Sequence, residues 1–146
     1  MASNEFYVTL GQKLRARRRA KHITLKEMAK KLHKSAATVS KYEKGEIFIS
    51  IDILVDICKI LNVDIASLLP DTCSGKNQNE IERYRKYFSE RLYLYWFNGE
   101  KNQVQTAVLE NRNLSFRSTM YYDVADVSNY YEANFIYEGK IVYSDT

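Results

Sequence analysis

Small hydroxyl and alanine side chains, together with a lysine, are concentrated between residues 35 and 41. The segment from Thr24 to Gly45 reads TLKEMAKKLHKSAATVSKYEKG and contains two short helical patterns separated by a three-residue joint. A helix that forms a core needs bulky side chains, and the second helix has few of them. Its small residues would let the backbone approach DNA bases, while its hydroxyl and ammonium groups could hydrogen-bond to phosphates or base edges. The segment is therefore typical of a helix-turn-helix whose second helix lies in the major groove.

Charge and aromatic residues are distributed unevenly along the 146 residues. Residues 1–70 hold 13 Lys/Arg against 7 Asp/Glu, a net charge of +6, whereas residues 71–146 hold 9 against 11, a net charge of −2. Of the 19 Phe, Tyr and Trp residues, 15 lie after residue 70. Clustered positive charge attracts polyanions such as nucleic acid. The two halves are therefore predicted to be separate domains with different roles.

The first half carries start and stop signals for five helices. A helix is predicted over 7–21, and Thr24 with Glu27 forms a capping box that starts a second helix ending near Leu32. Ser35 is the expected N-cap of the third helix, which ends before Gly45. The fourth helix begins after Ser50, with Ile51, Leu54, Val55, Cys58 and Leu61 as its apolar stripe, and a short fifth helix runs from Asp64 to Leu69.

The second half changes to a period of two after one helix. Residues 71–78 are predicted to be a linker, and a helix is expected over 79–91. Asn98-Gly99 predicts a type I′ hairpin, 111–113 a second turn, and Glu138-Gly139 the turn of a last hairpin. We expect an all-α five-helix domain over 1–70 and an α+β domain over 79–146, with one helix and four or five antiparallel strands.

Residues 10–69 resemble the Cro and phage-repressor type of helix-turn-helix, also called the xenobiotic-response-element (XRE) family. The matching segments are LGQKLRARR, ITLKEMAKKL, SAATVSKYEKG and ISIDILVDICKILNVDIASLL. The most specific part is the end of the third helix, VSKYEKG. The resemblance covers about 60 of the 146 residues and leaves the second half outside.

The resemblance implies roles for particular residues. An arginine late in the first helix, Arg18, would pair with Glu43, and His33 stands in the turn where the family commonly has a glycine with positive φ. The start and outer face of the third helix would contact bases, and the start of the second helix and the loop after the third would contact phosphates. The implied DNA-binding residues are Thr24, Leu25, Lys26, Ser35, Ala36, Ala37, Thr38, Ser40, Lys41 and Lys44.

Signals for catalysis and metal binding are missing from the sequence. The two cysteines, Cys58 and Cys73, are too few for a disulfide framework and lack the spacing of zinc ligands. We find no paired carboxylates, nucleophile motif or glycine-rich phosphate loop, so we expect no enzyme, no cofactor and no metal site. No apolar run is long enough to cross a membrane, and no secretory segment begins the chain, so a cytoplasmic protein is expected.

The sequence allows several contacts for the aromatic side chains of the second half. Aromatic residues favour strands, so a plain sheet core is the default interpretation. The segment LYLYWF is apolar on both faces, however, and one face must meet the 79–91 helix, a second subunit or a small ligand. We expect a transcriptional regulator, and specifically a repressor that binds a palindromic operator on double-stranded DNA. It is expected to act as a homodimer that forms through residues 79–146. A small-molecule or protein effector is possible. The alternative is an antitoxin or controller-type protein whose sheet sequesters a protein partner.

Overall fold

The computed structural model describes residues 4–70, 78–112 and 116–141. The chain divides into two compact units, Met1–Pro70 and Asp71–Thr146. Cys73 and most of the predicted linker lie outside the described residues.

The described part of the first unit is helical. Its elements are α1 (Asn4–Ala20), α2 (Leu25–Lys31), α3 (Ala36–Lys44), α4 (Ile51–Leu61) and α5 (Ile65–Leu68). Short-range capping explains most of their bounds, because side-chain oxygens at the helix starts accept from backbone N–H groups two or three residues ahead. Gly45 and Asn62 end α3 and α4 in the left-handed conformation, with φ of 71° and 49°. Only α1 departs noticeably from its predicted bounds, since it begins three residues earlier.

One apolar cluster holds the helices of the first unit together. Its buried members are Leu10, Leu14, Met28, Ala29, Leu32, Val39, Leu54, Ile57, Cys58, Leu61 and Leu68. Ile51 was predicted to belong to this core, and that prediction is wrong, because its side chain is 77% exposed. The helical period gives only the angle of a residue around the axis. Ile51 lies in the first turn of α4 with its side chain in solvent, and Ile57 is buried further along the helix.

The second unit contains an antiparallel sheet. Its elements are α6 (Gln78–Tyr87), β1 (Arg91–Asn98), β2 (Gln103–Arg112), β3 (Arg117–Tyr122), a 3-10 helix (Val127–Glu132) and β4 (Phe135–Lys140). The strands lie in the order β1-β2-β3-β4, and each neighbouring pair is antiparallel. The 3-10 helix was not predicted. Its start is capped by Asp126, whose carboxylate accepts from the backbone N–H and hydroxyl of Ser128 at 2.9 and 2.7 Å.

The hairpin between β1 and β2 has a longer loop than the predicted type I′ turn. Asn98 pairs with Gln103, so four residues form the loop. The Asn98 side-chain oxygen accepts from the backbone N–H groups of Glu100 and Lys101, at 3.0 and 3.1 Å. This side chain organises the turn itself, as asparagine often does, and the left-handed residue is Asn102, with φ of 50°.

Two other predicted turns are wrong. Glu138 and Gly139 lie inside β4, where they pair with Thr119 and Ser118 of β3. A Glu-Gly pair favours a turn locally, but the hydrogen bonds to β3 extend the strand through it. Residues 111 and 112 of the predicted second turn likewise belong to β2, and residue 113 lies outside the described residues. The part of the predicted last strand beyond residue 141 also lies outside them.

The sheet has two different faces. On one face, Val108 and Tyr121 are buried beneath the 3-10 helix, where Tyr121 contacts the rings of Tyr130 and Tyr131 at centroid distances of 5.0 and 5.4 Å. The opposite face carries the alternate residues, including Leu92, Leu94, Trp96, Ala107, Met120, Tyr122, Phe135 and Tyr137. None of the helices in the described ranges is long and apolar enough to span a bilayer.

Candidate nucleic-acid interface

The joint between α2 and α3 is held by backbone hydrogen bonds and one left-handed residue. Leu32 closes α2, and the N–H of Lys34 donates to the Ala29 carbonyl at 3.0 Å. Between them, His33 takes a φ of 52°. This is the positive φ that the resemblance assigns to a glycine at this point. Histidine tolerates the left-handed region, so the turn keeps its geometry with a bulkier residue.

The hydroxyl groups of Ser35 and Thr38 cap the start of α3. Ser35 Oγ accepts from the Thr38 N–H at 3.0 Å, and the two side-chain oxygens share a hydrogen bond at 2.9 Å. Ser35 is exposed and Thr38 half-buried. With these bonds made, Thr38 Oγ1 keeps at least one lone pair and one of the two hydroxyl protons is unused, so the pair can still contact a ligand, in directions that the bond between the hydroxyls restrains.

Three exposed residues form a stripe along α3. Ala37, Lys41 and Lys44 lie four and three residues apart, which places them on one helix face, and all three are exposed. Val39, Tyr42 and Glu43 are buried on the opposite side. α3 therefore presents a small residue followed by two cations to its surroundings, and this combination suits close approach to a polyanion.

The remaining predicted contact residues of α3 are less accessible. Ser40 flanks the exposed stripe and is half-buried. Ala36 is also half-buried, because it packs against the apolar cluster of the first unit. Ala36 can therefore offer a contact only with the outer part of its methyl group.

The start of α2 places its predicted phosphate-binding residues in different environments. Lys26 is exposed, while Leu25 packs partly against the core. Thr24 is engaged in the capping box, since its N–H and hydroxyl donate to Glu27 Oε2 at 2.7 and 2.8 Å and its Oγ1 accepts from the Glu27 N–H at 3.2 Å. Hydrogen bonds from the Thr24 backbone and then its side chain lower the pKa of Glu27. A phosphate here would meet Lys26 beside an already satisfied cap.

Arg18 and Glu43 form a two-point ion pair between α1 and α3. Arg18 Nε donates to Glu43 Oε1 at 2.6 Å, and Nη2 donates to Oε2 at 3.0 Å. Arg18 Nη1 also donates to the carbonyl of Ile23, just before α2, at 2.6 Å. The two side chains are only 9% and 8% exposed. One guanidinium therefore connects the three segments that set the position of α3.

Close backbone packing also positions α3, and the residue responsible was missed in the sequence. A methyl group at Gly11 would lie 2.5 and 2.6 Å from the carbonyl oxygens of Tyr42 and Glu43, so α1 contacts the end of α3 without an intervening side chain. At Gly45 a methyl group would lie 2.6 Å from the backbone nitrogen of Val8. The available signal was the isolated glycine inside the α1 pattern, which often marks close packing.

Further exposed cations surround the helix pair. Lys34 stands in the turn, immediately before Ser35, and was not among the predicted contacts; Lys30 and Lys31 at the end of α2 are also exposed. Lys44 lies 3.5 Å from Glu46 in a pair that is exposed on both sides. Exposed pairs of this kind contribute little free energy, so Lys44 can exchange Glu46 for a phosphate.

Within 4–70, 78–112 and 116–141, no group of three or more His, Cys, Asp or Glu side chains is arranged to hold a metal ion. The buried Cys58 thiol has a raised pKa because burial disfavours the thiolate, and this makes it a poor nucleophile.

Comparison with known proteins gives one family match and several partial structural likenesses. The helix-turn-helix family model HTH_3 matches residues 14–68. The clp gene regulator ClgR from C. glutamicum is 30% identical, with a TM-score of 0.42 over 43% of this chain and 82% of that chain. The DNA-binding domain of BldD is 30% identical, with a TM-score of 0.43 over 47% of this chain and 99% of that chain.

A longer likeness runs into the second unit at lower identity. FeII HppE is 17% identical, with a TM-score of 0.44 over 78% of this chain and 59% of that chain. No curated protein matches the chain. None of the three TM-scores reaches 0.5, so the assignment rests on the family match and on the motif to which it applies. Over residues 14–68, the chain belongs to the XRE-type helix-turn-helix family of DNA-binding regulators.

Proposed function

We propose that this protein is a sequence-specific transcriptional repressor that acts in the cytoplasm as a homodimer on a palindromic operator. The observation that carries the proposal is the exposed stripe of Ala37, Lys41 and Lys44 on α3, on a helix whose opposite side is anchored by the Arg18–Glu43 pair. A rigidly held helix with a small residue and cations on its outer face is suited to the major groove.

The proposed DNA contacts fall into two groups, those to base edges and those to phosphates. Ala37, Ser40 and Lys41, with Ala36 and Thr38 beside them, would lie nearest to the base edges. A methyl group would contact a thymine methyl, and the lysine would donate to guanine acceptors. Lys26, the backbone N–H of Leu25 next to the Thr24 cap, and Lys44 would contact phosphates, which set the register of the protein without reading sequence. Ser35 would contribute its hydroxyl at the start of α3.

Two copies are needed for tight operator binding. A single helix-turn-helix reads few base pairs, and α3 offers only two long exposed side chains. A dimer would contact two half-sites whose centres lie about 34 Å apart, or a multiple of that distance. We assign dimerisation to residues 79–146, with any small-molecule or protein effector acting on the same unit.

A second candidate function is an antitoxin or controller-type protein that sequesters another protein. It is supported by the large apolar side chains exposed on the sheet, among them Tyr95 and Phe97 at 60% and 64% exposure. Apolar surface of this kind marks interaction sites. A stable stoichiometric complex with a different protein that releases the operator would favour this candidate.

The decisive experiment selects bound duplexes from a random DNA library with the full-length protein. The proposal expects an inverted repeat whose half-site spacing matches one helical turn or a multiple of it, and a footprint that covers both halves. Binding should fall steeply with salt, because lysine–phosphate contacts release counterions. If the protein bound all duplexes of the library with equal affinity, sequence-specific regulation would be contradicted.

A further inference from the structure

In the described part of the chain, strand β1 forms one edge of the sheet, and its own sequence lacks the features that usually protect an edge. Among the described residues it pairs only with β2, and that pairing runs through all eight residues from Arg91 to Asn98 without a bulge. Its sequence, RLYLYWFN, has no proline and no charged residue after Arg91. Edge strands of monomeric proteins are usually short, bulged or charged, because an open row of N–H and C=O groups recruits other strands.

The opposite edge of the same sheet shows the contrast. β4 is six residues long and carries Glu138, Gly139 and Lys140 in its second half. Charged residues and a glycine weaken strand addition at that side. The two edges therefore differ in their capacity to accept another strand, and β1 is the unprotected one.

Side chains on both faces of β1 are exposed and apolar. Tyr93, Tyr95 and Phe97 lie on the sheet face that the 3-10 helix covers, and their side chains are between 47% and 64% exposed. Leu92 and Leu94 lie on the other sheet face and are 37% and 38% exposed. Arg91, the only charged residue, is directed toward its own chain, with its guanidinium 4.9 Å from the centroid of the Tyr130 ring.

We propose that two copies of this chain pair through β1, antiparallel and about a two-fold axis at Tyr95, to form one continuous eight-stranded sheet. The proposal rests on the dimer assigned above and names its interface. A two-fold axis perpendicular to the sheet places residues of the same face opposite each other. With the axis at Tyr95, Tyr93 lies opposite the partner's Phe97, and Leu94 lies opposite the partner's Trp96.

Charge and area favour a second copy as the occupant. This register joins aromatic and aliphatic side chains and leaves each Arg91 outside the paired segment, so no like charges meet. The five side chains are between 37% and 64% exposed, so at about 200 Å² for a fully exposed large side chain they leave about 500 Å² accessible per copy. Pairing can cover at most this area, about 1,000 Å² for two copies, which is near the lower size of a specific interface.

The test compares charge substitutions on the two edges of the full-length protein. Tyr95→Lys places two lysines at the two-fold axis, and we expect it to raise the dimer dissociation constant about 100-fold or more. Tyr137→Lys on β4 is the matched control, because Tyr137 is also an edge tyrosine and is 55% exposed. Sedimentation at micromolar concentration should show a dimer for the unmodified protein and for Tyr137→Lys, and a monomer for Tyr95→Lys.

Mixing variants separates an interface effect from misfolding. Tyr95→Lys and Tyr95→Glu should each be monomeric, and an equimolar mixture should recover the dimer, since opposite charges then meet at the axis. A Tyr95→Lys protein that stays dimeric, or a mixture that stays monomeric, would overturn pairing through β1. Operator binding by the unmodified protein is measured separately, so a dimer with another interface would leave the proposed function intact. A monomeric unmodified protein would reject both the interface and the dimer.

Discussion

Arg18 in α1 binds both carboxylate oxygens of Glu43, the next-to-last residue of α3, and donates a third hydrogen bond to the carbonyl of Ile23. These contacts join the end of α1, the segment before α2 and the end of α3. The orientation of the proposed recognition helix therefore depends on a buried ion pair that does not itself face the groove.

Glu43→Ala should destabilise the first unit strongly. Removing one partner of a buried ion pair leaves Arg18 without its compensating charge, at a cost of about 3–5 kcal/mol when burial is complete. In thermal unfolding, the Tm should fall by more than about 10 °C. Glu46→Ala, which removes the exposed partner of Lys44, is the control and should change stability by less than about 1 kcal/mol. Equal melting of both variants would argue against a structural role for the pair.

Lys41→Ala and Lys44→Ala should affect DNA binding differently. Loss of Lys41 should relax the preference at one or two base pairs, because a base-edge donor is removed. Loss of Lys44 should weaken binding to all sequences and reduce the salt slope by about one. Both are measured as affinities for the selected operator, its single-base variants and random DNA across a salt series. The assignment fails if the two variants lose affinity equally on every sequence.

Gly11→Ala distinguishes close packing from helix propensity. Propensity alone would make alanine within α1 more stable than glycine by about 1 kcal/mol. The added methyl group, however, would lie 2.5 Å from the Tyr42 carbonyl oxygen, and moving the backbone there should cost about 1–3 kcal/mol. We therefore expect net destabilisation in denaturant unfolding. At Gly99 an added methyl group meets nothing within 4 Å, so Gly99→Ala should leave stability nearly unchanged.

The capping box should give the first unit a pH-dependent contribution to its stability. Hydrogen bonds from Thr24 lower the pKa of Glu27 below its ordinary value of 4.5. The folded state thus favours the ionised carboxylate, so the stabilisation is present above the unfolded pKa and is lost as pH falls through the folded pKa. The stability difference between the unmodified protein and Glu27→Gln, measured by urea unfolding, should therefore shrink on acidification. A constant Glu27→Gln difference down to low pH would contradict the effect.

Local signals in the sequence predicted the helix-turn-helix well. Thr24, Ser35 and Gly45 mark helix ends through hydrogen bonds and backbone conformations that involve residues only a few positions away, so their effect is visible in the sequence. The same locality explains the change to a two-residue period after residue 91, which predicted the sheet. The XRE resemblance of residues 10–69 agrees with the family match over 14–68.

The rest depended on partners far away in the chain. Glu138 and Gly139 would favour a turn by themselves, but pairing with β3 makes them part of a strand. Ile51 has the right angle around α4 for the core and lies outside it, because the extent of a core along a helix is set by the other helices. The sequence by itself determined the helix caps, the alternation of the strands and the small, cationic character of α3. Only the tertiary structure decided that Gly11 contacts α3, that Leu25 and Ala36 are partly buried, and that β1 is left at an edge, because packing and strand pairing join residues that no short pattern relates.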